Sequence, residues 1–299
     1  MRIDRPGAGL ADRWCFSADR GALEQVSALW LSASLTLSAT ETEQLLSALP
    51  RLRWVYSQRT GTDHLPLDCY QRRGIVVANT GDLTSGWVAQ MNLACILSHA
   101  KRIPQHIHQQ QRRQSGAIYC DDFSDQTVVI IGTGHIGSAT ARLCQAVGMS
   151  VIGLSRNPQR PPPAGFDQVL DLDSQAHEGL AAADHLVLAL PLCAATRALI
   201  GRQQLALLKP GASIVNLARP QIVDENALLD ALRDGALGAA YVSGLEDVSR
   251  LRRHRAAQQH NLIVTHYSDA HLRKKNRLAF AQFLGLLERW QAPAEADAG

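Results

Sequence analysis

Residues 127–137, Thr-Val-Val-Ile-Ile-Gly-Thr-Gly-His-Ile-Gly, restrict the fold more than any other stretch. Four β-branched residues, Val128 to Ile131, run straight into Gly132, Gly134 and Gly137, and Ser138 to Val147 then repeat small and apolar side chains at helical spacing. An unbroken apolar strand suits a sheet covered on both faces. Strand, glycine turn and helix in succession form the first half of a βαβ unit. In Gly-x-Gly-x-x-Gly the first glycine permits a tight turn, the second lets the backbone approach a pyrophosphate, and the third lets helix and strand pack closely. The anion sits at the helix N-terminus, where His135 and Ile136 lie. The pattern alone is weak, but a second strand, Ser150 to Leu154, falls where a dinucleotide site needs it. A bound NAD(P) is the expected consequence.

The 299 residues, 46% of them hydrophobic, are enough for two domains. A net charge of +3 is too mild to suggest nucleic acid. Six scattered cysteines without a Cys-x-x-Cys pair point to reduced thiols and a cytoplasmic protein, with no disulfide framework or zinc site. The N-terminus has no apolar signal segment, and the longest apolar run is broken by Asp184 and His185, so no membrane span is expected.

Taken in order, residues 1–95 read as a small α/β domain. Strands are expected at Ala28 to Leu35, Arg53 to Ser57 and, after Gly74, up to Asn79. A helix is expected over Thr40 to Leu49, capped by Thr40 or Thr42, and a short one over Leu67 to Gln71. Thr84 to His99 reads as a helix crossing between domains, and 101–126 as a polar helix or interface segment. His106 and His108 point to different helix faces and read as surface residues rather than metal ligands. Beyond the fingerprint, strands at His185 to Leu190, Gly211 to Asn216, Gly238 to Val242 and Leu262 to Thr265 alternate with helices, including Asp224 to Arg233. That alternation predicts a doubly wound parallel sheet with its ligand at the carboxyl ends of the strands, near Pro191, Arg219, Ser243 and Thr265 to Ser268. An amphipathic helix over 269–290 should pack on the first domain.

The end of the second strand, Leu154-Ser155-Arg156-Asn157, lacks the carboxylate that usually accepts from the ribose hydroxyls of NAD. Arg156 offers a charged fork of donors suited to a 2′-phosphate, with Ser155 and Asn157 beside it. NADP is therefore the expected cofactor, with NAD possible if Arg156 only stacks on the adenine.

Several segments together resemble the D-isomer-specific 2-hydroxyacid dehydrogenases, the family of glyoxylate/hydroxypyruvate reductases and phosphoglycerate dehydrogenase. They are Gly61-Thr62-Asp63, Gly74 to Asn79, Val88-Ala89-Gln90, the glycine fingerprint, Leu190-Pro191-Leu192, Leu208 to Ala212, Asn216 to Arg219 and Val223-Asp224-Glu225. The resemblance implies two flavodoxin- or Rossmann-like domains: a substrate domain of residues 1–95 plus 269–299, with a cofactor domain, 96–268, inserted into it and catalysis in the cleft. It makes Arg219 the residue that binds the substrate carboxylate and polarises the carbonyl, as a permanently charged planar guanidinium can. The Thr60-Gly61-Thr62 turn would present N–H groups to the same carboxylate. Pro191, Thr196, Ala218 and Ser243 would join the fingerprint residues around the cofactor. Relatives usually form homodimers through the cofactor domain.

The chain departs from the family at the acid/base. Tyr267 stands where the family has its histidine, His266 stands at the preceding proline, and Val248 falls where the partner glutamate belongs, with Glu246 and Asp247 nearby. Ser243 replaces an aspartate, Gln90 a glutamate, and Pro220 the glycine after Arg219. Reduction of a ketone leaves an alkoxide that needs a proton; imidazolium suits this near neutral pH, while tyrosine, with an unperturbed pKa of about 10, needs a nearby cation. Three readings stay open. Tyr267 donates, helped by Arg219 or His266; a local shift brings His266 into the cleft; or neither acts and the chain binds cofactor without normal turnover. His254, His260 and His271 read as surface residues, although His271 could reach the cleft from the last helix. The function implied is hydride transfer to a 2-keto acid or related small anion. The alternatives are altered chemistry on a specialised substrate such as a phosphonate, or a cofactor-binding module like the corepressors that resemble this family.

Overall fold

The computed structural model describes residues 23–33, 35–158, 161–245, 261–265 and 272–291. They fall into two compact units, Ser85–Asp269 and the residues on either side of it. The division comes after Thr84 rather than at the expected residue 95, because the helix that starts at Ser85 packs on the larger unit.

In the smaller unit β1 (Ala28–Leu31), β2 (Trp54–Ser57) and β3 (Val76–Asn79) form a parallel sheet in that order. β1 ends at Leu31, short of the expected Leu35, because the N–H of Leu35 turns back to the carbonyl of Ser32 at 3.0 Å. Helix α1 (Ala39–Ala48) is capped by Ser38, not by Thr40 or Thr42. The Ser38 hydroxyl accepts from the N–H of Glu41 at 3.2 Å and the Glu41 carboxylate accepts from the N–H of Ser38 at 2.9 Å, a reciprocal capping box. Thr42 is instead buried with Leu45 and Leu46. Helix α2 is Leu67–Arg72.

Alternation along β2 divides this unit's core. Val55 faces Leu29, Leu45, Leu46 and Tyr70, whereas Trp54 and Tyr56 face Phe283 of the last helix, Leu272–Gln291. Phe283 stacks on Trp54 at 5.3 Å between ring centroids and meets Trp30 edge-on at 5.4 Å. Two polar ties reinforce the packing: the Tyr56 hydroxyl donates to Gln282 Oε1 at 2.7 Å, and Gln58 Nε2 to Asn276 Oδ1 at 2.5 Å. Phe280, which the apolar pattern places in the core, remains half exposed beside Trp30.

In the larger unit, α3 (Ser85–Ala100) and α4 (Ile103–Gln111) precede the sheet. Then come β4 (Thr127–Ile131), α5 (His135–Ala146), β5 (Ser150–Ser155), β6 (Gln168–Asp171), α6 (Ala176–Ala181), β7 (His185–Leu188), α7 (Arg202–Leu205), β8 (Ala212–Asn216), α8 (Glu225–Arg233), β9 (Leu237–Val242) and β10 (Leu262–Val264). All pairings are parallel, in the order β10-β9-β8-β7-β4-β5-β6. The chain runs outward from β4 through β5 and β6, then returns to β7 on the other side, so the topology reverses between β4 and β7. Strand β6 escapes the sequence reading because Gln-Val-Leu-Asp is too short to show a period.

Both faces of this sheet are covered. Val129, Ile131, Leu154, Leu186 and Ile214 belong to the core shared with α6, α7 and α8. Their neighbours Val128, Ile130, Val151, Val187 and Val215 belong to the core shared with α3 and α5. This explains why the strands read as continuous rather than alternating apolar runs. At the amino ends of β4, β7 and β8 lies a buried polar network. His185 Nδ1 is 2.8 Å from Ser213 Oγ, its Nε2 is 3.0 Å from Gln126 Oε1, and His99 Nε2 is 3.1 Å from the carbonyl of Gly211. Burial, reinforced by the proximity of His99, pushes His185 down to about 3.

Candidate functional site

The glycine turn fixes the floor of the site. Gly132 has φ of +101°, and a side chain there would also strike the carbonyl of Ala189, the first residue after β7. Gly137 rests on the carbonyl oxygen of Gly132, with no room for a Cβ. Gly134 differs: it has an ordinary φ of −73°, and nothing lies within 4 Å of where a Cβ would stand. It is the N-cap of α5, and no side chain caps that helix. The first N–H groups of a helix have no partner within it, and here they belong to His135, Ile136 and Gly137. A pyrophosphate fits this arrangement on both counts, an open approach at Gly134 and unpaired donors with the positive end of a helix dipole.

Beside this loop, β5 ends in Ser155, whose hydroxyl accepts from the N–H of Asn157 at 3.2 Å. The side chain of Arg156 spans two loops. Its Nε lies 3.5 Å from Asp173 Oδ1 in the loop after β6, and its terminal nitrogen donates to the carbonyl of Ala195, after β7, at 3.1 Å. Both loops are held by short-range bonds. Asp171 Oδ1 accepts from the N–H groups of Asp173 and Ser174 and from the Ser174 hydroxyl, which hold this carboxyl below the usual carboxylate range. Thr196 is buried, and its hydroxyl donates to the carbonyl of Pro191 at 2.7 Å while accepting from the N–H of Cys193 at 2.8 Å. The Thr196 hydroxyl, the N–H of Ala195 and the charge of Arg156 lower the pKa of the exposed Cys193 thiol.

The remaining expected residues of this unit lie at the same edge of the sheet. Pro191 follows β7, Ala218 and Arg219 follow β8, and Ser243 follows β9 with its N–H on the carbonyl of Asn216 at 3.0 Å. Arg219 is extended (φ −137°, ψ 135°), as a residue before proline must be, and Asn216 Nδ2 fixes its carbonyl at 2.8 Å. Its guanidinium donates to the carbonyl of Ala218 at 2.9 Å.

In the smaller unit the Thr60-Gly61-Thr62 turn follows β2. The Thr60 hydroxyl lies 3.1 Å from that of Thr80 and 3.0 Å from that of Thr84, and Asn79 Nδ2 donates to the carbonyl of Thr60 at 2.8 Å. This network, and the Asp173 and Ala195 partners of Arg156, were not anticipated from sequence. Asp171-Leu-Asp-Ser174, a run of local hydrogen-bonding residues, was the available signal for the second. Glu246, Asp247, Val248, His254, His260, His266, Tyr267 and His271 lie outside the described residues. Among those described, no group of three His, Cys, Asp or Glu is placed to hold a metal ion, and no helix is long and apolar enough to cross a membrane.

Residues 93–268 match the family described as D-isomer specific 2-hydroxyacid dehydrogenase, NAD binding domain. Glyoxylate reductase of Aeropyrum pernix is 31% identical over 258 residues, 80% of this chain and 76% of that protein. D-3-phosphoglycerate dehydrogenase of Methanocaldococcus jannaschii is 31% identical over 212 residues, 69% of this chain but only 39% of that protein's length. Among solved structures, a D-isomer specific 2-hydroxyacid dehydrogenase from Xanthobacter autotrophicus Py2, in complex with NADPH and MES, is similar with a TM-score of 0.76 and 25% identity, over 90% of this chain and 82% of that one. The D-lactate dehydrogenase of Aquifex aeolicus, complexed with NAD and lactic acid, shares the fold at 22% identity and a TM-score of 0.75, over 92% of this chain and 85% of that one. Sequence match, sheet order and glycine turn converge: the chain belongs to the D-isomer specific 2-hydroxyacid dehydrogenase family.

Proposed function

We propose that this protein is an NAD(P)H-dependent oxidoreductase that reduces a 2-keto acid, or a related small anion, to the corresponding 2-hydroxy acid. The observation that carries the reading is the open approach at Gly134 beside the uncapped N-terminus of α5, within a family NAD-binding domain. Relatives named glyoxylate reductase support the substrate class. When bound, the reduced nicotinamide supplies the hydride to the carbonyl carbon. Arg219 holds the substrate carboxylate and draws charge onto the carbonyl oxygen, with the N–H groups of Thr60 to Thr62 as further donors to the carboxylate. Tyr267, at the family's acid/base position, supplies the proton to that oxygen with help from Arg219 or His266, and His266 is the alternative donor. Gly132 to Gly137, Ser155, Asn157, Pro191, Thr196, Ala218 and Ser243 surround the nucleotide. Arg156 takes the 2′-phosphate, which favours NADP(H) while leaving NAD(H) usable.

A panel of 2-keto acids tests this. NADPH oxidation above background is expected for at least one of them, and none at any pH from about 6 to 9 removes the reading. The tyrosine at the histidine position favours a second reading, a cofactor-binding module that acts through a partner protein. Saturable NADPH binding without reduction of 2-keto acids or keto phosphonates, together with NADPH-dependent capture of one partner, would favour it.

We also propose a homodimer in the cytoplasm. Helix α4 buries none of its residues, and Ile103, Ile107 and Tyr119 are exposed, which suits an interface between copies. The five described cysteines are all free thiols.

A further inference from the structure

At the end of β5 the sequence offers an arginine and no acid, which by itself argues for a phosphate. The folded chain adds an acid from elsewhere. Asp173, in the loop after the adjacent strand β6, approaches Arg156 to 3.5 Å. We propose that Asp173 sets the cofactor preference by competing with the 2′-phosphate of NADP(H) for Arg156, so that the enzyme uses both nucleotides. The proposal rests on the reading of Arg156 as the phosphate contact.

Three observations carry it. First, the backbone that carries Asp173 is held in place. The N–H of Leu172 bonds the carbonyl of Ser155 at 3.0 Å, and Asp171 Oδ1 accepts from the N–H groups of Asp173 and Ser174 at 3.1 and 2.9 Å, so the loop is tied to the end of β5. Second, Arg156 is already engaged on two sides, by Asp173 and by the carbonyl of Ala195. A guanidinium so placed offers a phosphate a pair of nearly cancelling charges rather than a lone cation. Third, the two nucleotides differ in the charge they bring to this corner. A phosphomonoester carries about −1.5 to −2 at pH 7 and is repelled by a fixed carboxylate. A ribose hydroxyl brings none and can donate to that carboxylate, the role an acid at the end of the second strand plays in NAD-binding folds. Here the third strand's loop supplies the acid that the second strand lacks. The side chains of Arg156 and Asp173 are 41% and 70% exposed, so solvent screens the effect and limits it to a few-fold.

The test measures dissociation constants of the full-length protein for NADPH and NADH by nucleotide fluorescence, at low and high salt, for the native chain and for Arg156→Ala and Asp173→Asn. Asp173→Asn is expected to raise the preference for NADPH over NADH by about threefold at low salt, with the gain shrinking at high salt. Arg156→Ala is expected to lower that preference by about tenfold. If Arg156→Ala collapses the preference and Asp173→Asn leaves or lowers it, the proposal is overturned and the phosphate contact stands. If Arg156→Ala leaves the preference intact, the phosphate contact fails and the proposal with it. Asp173→Ser, checked with the first variant by thermal melting, guards against a folding defect peculiar to one substitution.

Discussion

Gly137 lies flat against Gly132: the carbonyl oxygen of Gly132 occupies the place where a Cβ on Gly137 would stand. The first turn of α5 is thereby pressed onto the end of β4. Gly137→Ala should therefore destabilise the larger unit by about 2–3 kcal/mol, because the obstruction is backbone and cannot swing aside. Urea denaturation followed by tryptophan-independent far-UV signal checks this; a midpoint like that of the native chain would mean that the helix start yields freely.

Gly134→Ala separates folding from binding. With ordinary backbone angles and open space around it, the added methyl should change stability by no more than about 1 kcal/mol. It nevertheless stands where the proposed pyrophosphate approaches the chain. NADPH affinity is expected to fall by about tenfold or more, and equal affinity in a well-folded variant would remove the glycine turn from the nucleotide site.

Arg219→Lys probes the proposed substrate contact. An ammonium keeps the charge but loses the planar two-donor fork, so kcat/KM with glyoxylate or hydroxypyruvate should fall by about a hundredfold, and Arg219→Ala should lose more. Unchanged kinetics in both would assign carboxylate recognition to another group.

Acid stability follows from His185. Its pKa is depressed to about 3 in the folded chain against 6.5 for the ordinary group, so the unfolded chain binds the extra proton. The stabilisation is fully present above pH 6.5 and is lost progressively as pH falls from there towards about 3. At about 1.4 kcal/mol per unit, the full span is on the order of 5 kcal/mol. His185→Gln should flatten the fall in the urea midpoint between about pH 6.5 and 4; parallel curves for the two proteins would place the acid sensitivity elsewhere.

The parallel sheet was legible because both of its faces are buried, and continuous runs such as Val128 to Ile131 leave little else for the chain to do. The glycine turn was legible because a contact or an angle forces Gly132 and Gly137, while Gly134 leaves the approach to the backbone open. Short elements were not. β6 has only four residues, and the cap of α1 sat on Ser38 because Glu41 reaches back to it, while Thr42 lay on the buried face. The surroundings of Arg156 were hidden for a different reason. Asp173 and Ala195 come from loops 17 and 39 residues away, and only the order in which β6 and β7 flank β4 and β5 brings them together. Propensity and spacing describe neighbours along the chain; a guanidinium between two loops is a property of the sheet.

The meeting of Gly132 with Ala189 has a consequence for how such a protein diversifies. Main-chain atoms, not side chains, form the floor of the turn, so a substitution there either presses on the scaffold, as at Gly132 and Gly137, or, as at Gly134, stands in the path of the proposed pyrophosphate. The loops that carry the exposed side chains of Arg156, Asp173 and Cys193 form the rim of the proposed site, and those side chains can change without disturbing that floor. Swapping one redox carrier for another is then a matter of repainting the rim on an unaltered base.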